Sequence, residues 1–208
     1  MNRKAWTKPI RYPARSAKLA EFVGIMLGDG GISDYQVRIY LNDKTDKEYL
    51  FYVCDLIRQL FNLEPCIQRR PARSMNIIVI SRIELVHFLE EVGLSRGSKV
   101  HAQIDIPEWI KANNTYLIPC VRGLVDTDGC IFNHRYVSKG KEYSYKKLDF
   151  TSGSNPLRET VYAFFKELGM HPRYSSQRGV RLESKKDIQA YFKVVSSSNP
   201  KHLNRYAS

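Results

Sequence analysis

Several signatures of familiar chemistry are scarce or missing in this chain. Its four cysteines (Cys54, Cys66, Cys120 and Cys130) form no CxxC pair and have no histidines at zinc-ligand spacing. A zinc finger or ribbon is thereby excluded. With no signal peptide either, ordinary buried thiols in a reducing intracellular setting, cytoplasm or organelle matrix, are expected. The five histidines, His87, His101, His134, His171 and His202, are scattered, which leaves no cluster for a histidine-metal nuclease. No apolar run approaches membrane-spanning length and no basic amphipathic helix stands out, so no membrane partner is expected. Acids are the minority charge, 21 Asp and Glu against 33 Lys and Arg. A net charge of +12 and a pI near 9.6 point to a polyanion, and nucleic acid is the better candidate. The chain has no RNP-type aromatic motif or GXXG loop, so an RNA-binding module lacks support.

What is present begins with a hydrophobic share of 43% over 208 residues, enough for one packed domain of two similar halves. The halves announce themselves as a repeat. Phe22-Val23-Gly24-Ile25-Met26-Leu27-Gly28-Asp29-Gly30 returns as Val121-Arg122-Gly123-Leu124-Val125-Asp126-Thr127-Asp128-Gly129. The offset is constant and gapless from Ser16/Thr115 to Ile32/Ile131. Each copy reads as a helix that starts at a hydroxyl cap, Ser16 or Thr115, and stops at Asp-Gly, where glycine can adopt the left-handed conformation. Small residues fall four apart on one face: Ala20, Gly24 and Gly28 in the first copy, Gly123 and Thr127 in the second. Interior glycine costs a helix roughly 1 kcal/mol relative to alanine, so its repetition calls for close helix–helix contact. Each copy also places a carboxylate at the negative end of its own helix dipole, which is locally unfavourable. Side-by-side parallel packing would bring Asp29 and Asp128 together, and two carboxylates with two carbonyl-rich termini suit a hard divalent cation. An Asp that merely caps a turn is the competing explanation for either copy alone.

The repeated stretch resembles the signature of the LAGLIDADG homing endonucleases in their single-chain, two-motif form. The second copy matches closely; the first has Leu27 where the sixth position normally carries an acid, but keeps the eighth-position acid, Asp29. The element order after each motif fits as well, so the resemblance covers nearly the whole chain. It implies an α+β fold of two pseudo-symmetric αββαββα halves, with antiparallel sheets forming a DNA-binding saddle and the motif helices paired at the centre. It also implies that Asp29 and Asp128 bind catalytic Mg²⁺ (or Mn²⁺), with backbone carbonyls at Gly28 and Thr127 close enough to complete coordination. In that family a lysine near the active site assists the attacking water. Lys99 fits by order, and Lys201 follows Asp128 at nearly the distance by which Lys99 follows Asp29; a solvated loop lysine is the alternative for each. The expected activity is double-strand cleavage of a long, asymmetric DNA site, leaving short 3′ overhangs, by a monomer with no obligate protein partner, as in intron homing. The rival is a catalytically silent DNA- or intron-RNA-binding protein of the same fold, a maturase or regulator.

The organisation expected along the chain is a basic arm at 1–15, a first half at 16–103, a connector at 104–114 and a second half at 115–208. The arm, with five cations and no acid, suits either a phosphate backbone or a solvated tail. Residues 35–42 alternate in period two, with Tyr35, Val37, Ile39 and Leu41 on the apolar face and Gln36, Arg38, Tyr40 and Asn42 opposite, a surface able to read base edges. Strands at 66–70 and 75–81 flank a basic turn, which adds Gln68, Arg70 and Arg73 as DNA contacts. Trp109 anchors the connector. In the second half a full hairpin turns at 138–141, offering Lys139, Lys141, Tyr145 and Lys147, and a later hairpin offers Arg173 and Arg178. The first half has room for only a short opening strand, and the helix at 186–195 is expected to be the last.

Overall fold

The computed structural model describes residues 9–208; Arg3, Lys4, Trp6 and Lys8 of the basic arm lie outside the described residues. The first half runs α1 (Ala17–Gly28), β1 (Gly30–Ile32), β2 (Val37–Asn42), α2 (Lys47–Phe61), β3 (Cys66–Arg70), β4 (Met75–Ile80) and α3 (Ile83–Glu91). Two short helices follow, α4 (Lys99–Ala102) and α5 (Glu108–Lys111). The second half repeats the order as α6 (Asn114–Asp128), β5 (Gly129–Ser138), β6 (Lys141–Thr151), α7 (Asn155–Glu167), β7 (Arg173–Tyr174), β8 (Gly179–Leu182) and α8 (Lys185–Val194). A further helix, α9 (Pro200–Ala207), closes it. The two four-stranded antiparallel sheets have matching strand orders, β1-β2-β4-β3 and β5-β6-β8-β7. This is the α+β architecture of two αββαββα halves that the sequence implies.

The amphipathic helices cover one face of each sheet because their apolar stripes match the strands' inward residues. In the first half, Tyr49, Val53, Ile57 and Phe61 of α2 are buried with Val37, Ile39 and Leu41 of β2. In the second, Val161, Phe164 and Phe165 of α7 meet Leu148 and Phe150 of β6. The opposite face of each sheet carries no helix-facing core. Strict alternation in β2, inward residues buried and outward ones exposed, is the physical mark of that one-sided burial.

At the centre α1 and α6 touch along their length, in parallel. Ser16 caps α1, its hydroxyl accepting from Leu19 N at 3.3 Å. Every residue from Leu19 to Leu27 is buried, which an ordinary amphipathic surface helix would not allow. A Cβ built on Gly24 would fall on the carbonyl of Cys120, and one on Gly123 would fall on the carbonyl of Glu21. Each glycine thus admits the backbone of the opposite helix. Gly28 instead makes room for the Thr127 side chain, and Ala20 is fully buried on α1.

The structure departs from the sequence-based expectations at several points. The cap of α6 is Asn113, whose side chain accepts from Thr115 N at 2.8 Å, so the helix begins ahead of Thr115. Gly30 and Gly129 do not adopt a left-handed conformation. Gly129 is extended (φ −96°, ψ 159°), and both glycines are needed because a Cβ would strike the preceding helical turn, at Met26 or Val125. Tyr35 precedes β2 and is 69% exposed, so the apolar face begins at Val37. Helix α8 is not the last: α9 follows, with Pro200 in its first turn and Asn199 as its cap, a start signal of the kind helices prefer. The described part of the basic arm packs on the helix layer: Arg11 N donates to Phe61 O at 3.0 Å and the Tyr12 ring meets Phe88. Trp109 anchors its segment by donating to Val92 O at 2.9 Å, with Arg15 stacked over its ring.

Because the central helices meet backbone to backbone, Gly24→Ala and Gly123→Ala should each destabilise the protein by about 1–3 kcal/mol or more. Thermal unfolding checks this: an unchanged midpoint for both variants would mean that the helices do not need the contact.

Candidate metal centre and nucleic-acid interface

Parallel packing brings the two motif acids to one end of the helix pair. Asp29 follows α1 directly as its C-terminal cap (φ −85°, ψ 4°), and Asp128 is the last residue of α6. The carboxyl carbon of Asp128 lies 3.6 Å from where a Cβ of Gly28 would sit, so the missing side chain lets that acid lean across the end of α1. The backbone of Asp29 is locked by Tyr40 N, which donates to its carbonyl at 3.1 Å. Burial pushes the Asp29 carboxyl up to about 7, the charge of Asp128 adding to the effect. Burial likewise pushes Asp128 up to about 6, with Lys99 pulling the other way. Two acids in one desolvated place resist ionising together unless a cation joins them.

Lys99 supplies part of that charge. Its Nζ donates to the carbonyls of Leu27 (3.0 Å) and Met26 (3.3 Å) and also to Gly28 O. Those are terminal carbonyls of α1, where the helix dipole attracts a cation. Burial pulls the Lys99 pKa below that of an ordinary lysine, and the two motif acids oppose the fall. The Gly28 carbonyl, a candidate ligand on sequence grounds, is therefore occupied by an ammonium. The Thr127 hydroxyl folds back to donate to Gly123 O and Leu124 O at 2.9 Å, leaving the helix end to the acids.

Lys201 lies elsewhere. Its Nζ is 2.8 Å from Asp46 Oδ1, and its charge also lowers the Asp29 pKa. Asp46, just before α2, is 6% exposed and accepts from Asn199 Nδ2 at 2.9 Å. Burial would raise the Asp46 pKa, but the bonds from Asn199 and Lys201 overcome it and hold it below the usual range. Behind this pair, the carboxylate of Asp126 accepts from Ser197 Oγ (2.5 Å) and Ser198 N (2.7 Å). Glu21 accepts from Tyr52 Oη (2.7 Å) and Ser198 Oγ (2.6 Å) and pairs with Arg122 at 3.5 Å. Sequence reasoning missed this buried polar seam. No sequence signal marks it: Asp46 stands at a helix-cap position, and only the structure shows that it makes no capping bond.

The donor set suits a hard divalent cation: two carboxylate oxygen ligands and helix-terminal carbonyls already holding a stand-in cation, the Lys99 ammonium. Among the described residues no group of three His, Cys, Asp or Glu side chains gathers, so further oxygens would come from water and a phosphate.

The helix-free sheet faces carry the remaining candidates. Register places Arg38, Tyr40, Asn42, Gln68 and Arg70 on one face of the first sheet, all exposed. Arg38, Arg70 and Arg73 have no ion pair among the described residues. Gln36 sits just before β2, donating to Ser81 Oγ at 2.9 Å and accepting from Arg38 at 2.5 Å. Asn42 Oδ1 accepts from Lys44 N (2.9 Å) and Thr45 N (3.0 Å), so this side chain also shapes the turn. The second sheet differs. Lys147 is buried and pairs with Glu183 at 2.6 Å, and Arg173 pairs with the same acid. Arg181, beside them, pairs with Asp149 at 2.6 Å. Beyond this neutralised patch the β5–β6 ribbon extends past β8, with Lys139 and Lys141 exposed at its turn. On the ribbon's outer face Tyr136 stacks on Tyr143 (5.1 Å between centroids), and His134 meets Tyr145 (5.4 Å). His134, Tyr136 and Tyr143 were not singled out from sequence, although their cross-strand pairing follows from the hairpin register. Arg178 is exposed in the β7–β8 turn.

No family model matches the chain. It is 26% identical over 166 residues to reverse gyrase of Methanocaldococcus jannaschii, a match covering 80% of this chain and 9% of that protein. It is 32% identical over 121 residues to an A-type ATP synthase subunit from Pyrococcus abyssi, covering 54% and 11%. The chain thus spans about a tenth of the length of the curated relatives it matches, and neither name carries over. Among solved structures it resembles the LAGLIDADG homing endonuclease I-LtrWI bound to target DNA, with a TM-score of 0.60, 15% identity and 91% and 87% of the two chains covered. The meganuclease I-SmaMI bound to uncleaveable DNA gives a TM-score of 0.61 at 13% identity over 89% and 87%. I-DmoI in complex with DNA and Mn gives 0.56 at 19% identity over 88% and 97%. At these identities the likeness establishes the fold.

The raised acids give a stability prediction with a definite sign. A carboxyl whose folded pKa exceeds its unfolded value binds its proton more tightly when folded, so its contribution is full below about pH 4 and is lost as pH rises through the folded pKa. In EDTA, Asp29 and Asp128 should therefore lower the melting temperature between about pH 4 and 7. Mg²⁺ should raise it more at pH 8 than at pH 5, and Asp29→Asn should flatten both effects. Equal Mg²⁺ stabilisation of wild type and Asp29→Asn would contradict it.

Proposed function

We propose that this chain, which has the fold of the LAGLIDADG homing endonucleases, is a site-specific endonuclease that cuts both strands of duplex DNA. The observation that carries the proposal is the convergence of two desolvated carboxylates, Asp29 and Asp128, at the end of the helix pair, with Lys99 beside both. Two halves with matching sheets offer two binding surfaces in one chain, so a monomer would span a long asymmetric site. The first sheet's free arginines, glutamine and tyrosine would read bases, while the second half would engage DNA through its aromatic ribbon and hairpin lysines.

Each cut adds one water oxygen to phosphorus, breaks the bond to the leaving oxygen and transfers one water proton, by way of solvent, to that oxygen, which departs as a hydroxyl. Asp29 and Asp128 would hold Mg²⁺ or Mn²⁺, which when bound would supply an activated water and charge neutralisation at the leaving oxygen. Lys99, placed against both acids, would stabilise negative charge developing on the phosphate. Lys201 would do the same on the side of Asp29. The helix ends and the locked backbone of Asp29 would keep these groups preorganised. The 16–103 and 115–208 halves, joined by 104–114, are the units that would each take half of the site.

Target selection from a randomised DNA library in Mg²⁺ tests the proposal. A defined cleaved sequence supports it, and binding with no cleavage under any condition would instead leave a silent DNA-binding protein. On the selected site, Asp29→Asn and Asp128→Asn should each reduce double-strand cleavage by more than the roughly 10–100-fold typical of losing an outer partner. DNA affinity measured in EDTA should be retained. Full cleavage by either variant would remove the acids from the mechanism.

A further inference from the structure

The two halves are alike in fold but unlike in how each holds its lysine. The segment after α3, which carries Lys99, docks on the second half: Ser154 Oγ donates to Ile104 O at 2.5 Å, and Asn155 N donates to Gln103 Oε1 at 2.9 Å. By the same symmetry, the segment after α8, which carries Lys201, docks on the first half at Asp46. Ser154 and Asp46 hold the same place in the repeat, each the residue before the helix that follows β6 or β2. One is a neutral hydroxyl bonded to backbone. The other is a buried carboxylate bonded to Lys201 (2.8 Å) and Asn199 (2.9 Å).

The difference extends one layer further. Asn199 Nδ2 also reaches Asp126 O at 3.1 Å, and the Asp126 carboxylate ties down Ser197 and Ser198. The residue matching Asp126 in the first motif is Leu27, which can make no such bond. Lys201 is consequently fixed from two sides, by Asp46 of the first half and by a turn anchored on α6. Among the described residues Lys99 has the last carbonyls of α1 as partners, next to Asp29, whereas Lys201 is two residues from Asn199, whose amide reaches the end of α6 two residues before Asp128. A buried lysine whose partner is removed is free to change rotamer, and its orientation at the site is lost.

We infer that Asp46 is a positioning residue that presents Lys201 to one of the two reaction centres, so that it governs the cutting of one DNA strand and not the other. The inference rests on the nuclease function proposed above. It makes the two centres unequal by construction: one is served by a lysine on helix carbonyls, the other by a lysine on a cross-half ion pair.

Asp46→Asn tests this, since the amide keeps the shape and removes the charge that pairs with Lys201. Its NH₂ must then face donors that Asp46 now accepts from, Asn199 and Lys201 at one oxygen or Asn42 N and Thr45 at the other. With the full chain and a plasmid carrying the selected site, each strand labelled separately, cleavage of one strand should slow roughly tenfold or more while the other is unchanged. Nicked circle should accumulate. A general loss of stability would slow both strands together, and that result overturns the inference. Reductive methylation of the free protein, read by mass spectrometry, gives a second answer that needs no cleavage. Lys201 should become more reactive in Asp46→Asn while Lys99 does not; unchanged Lys201 reactivity also overturns it. Should the wild type cut no selected DNA, the nuclease function fails on its own, and methylation alone then decides whether Asp46 holds Lys201.

Discussion

The structure depends on backbone-to-backbone contact between α1 and α6. Gly24 against Cys120 and Gly123 against Glu21 let two largely buried helices run in parallel with no side chain between them at those points. Everything at the site follows from that approach. Parallel helices end together, so their carbonyl-rich termini and the acids attached to them share one desolvated spot. The arrangement works against folding: like charges meet, and both sit at the negative ends of dipoles. A protein that keeps such a conflict in two copies retains it for something other than stability, and hard-cation chemistry is what the conflict suits.

The polar seam beside the helices shows how the conflict is contained. Buried acids at positions 21, 46 and 126 are each satisfied by donors from the opposite half or from the turn before α9. Each half's lysine segment docks across the junction, through Gln103 and Ile104 in one case and through Asn199 and Lys201 in the other. The sheets divide labour in a similar way. On the first, Arg38 and Arg70 of the open face have no ion pair among the described residues; on the second, Lys147, Arg173 and Arg181 are matched by Asp149 and Glu183, and the open chemistry moves out to the aromatic ribbon. Equal folds therefore present unequal surfaces, which suits an asymmetric partner.

Much of the fold was legible in the sequence because it is carried by local periodicity and by the repeat. The alternation of residues 37–42, the apolar stripe of α2 and the hairpin turn at Lys139-Gly140, both left-handed in the structure, each encode their own geometry. The misses have a common cause. Asn113, α9 and the true reason for Gly30 and Gly129 are set by contacts two to four residues away that outweigh the commoner cap and turn signals, and Tyr35 sits where the alternation runs out before pairing begins. The site divides along a different line. The acids at the helix ends could be read from a motif, and the element order put a lysine after the last repeat helix of each half. That Lys99 would settle on α1 carbonyls and Lys201 on Asp46 could not be read, since those partners lie 71 and more than 150 residues away. Long-range polar contacts leave no period.

The most direct test of the central claim is anomalous X-ray scattering from Mn²⁺ in crystals of the protein with a bound DNA duplex. The account requires Mn²⁺ peaks at the ends of α1 and α6, between the carboxylates of Asp29 and Asp128. Mn²⁺ bound only elsewhere, or those two carboxylates turned away from an ordered ion, would contradict it.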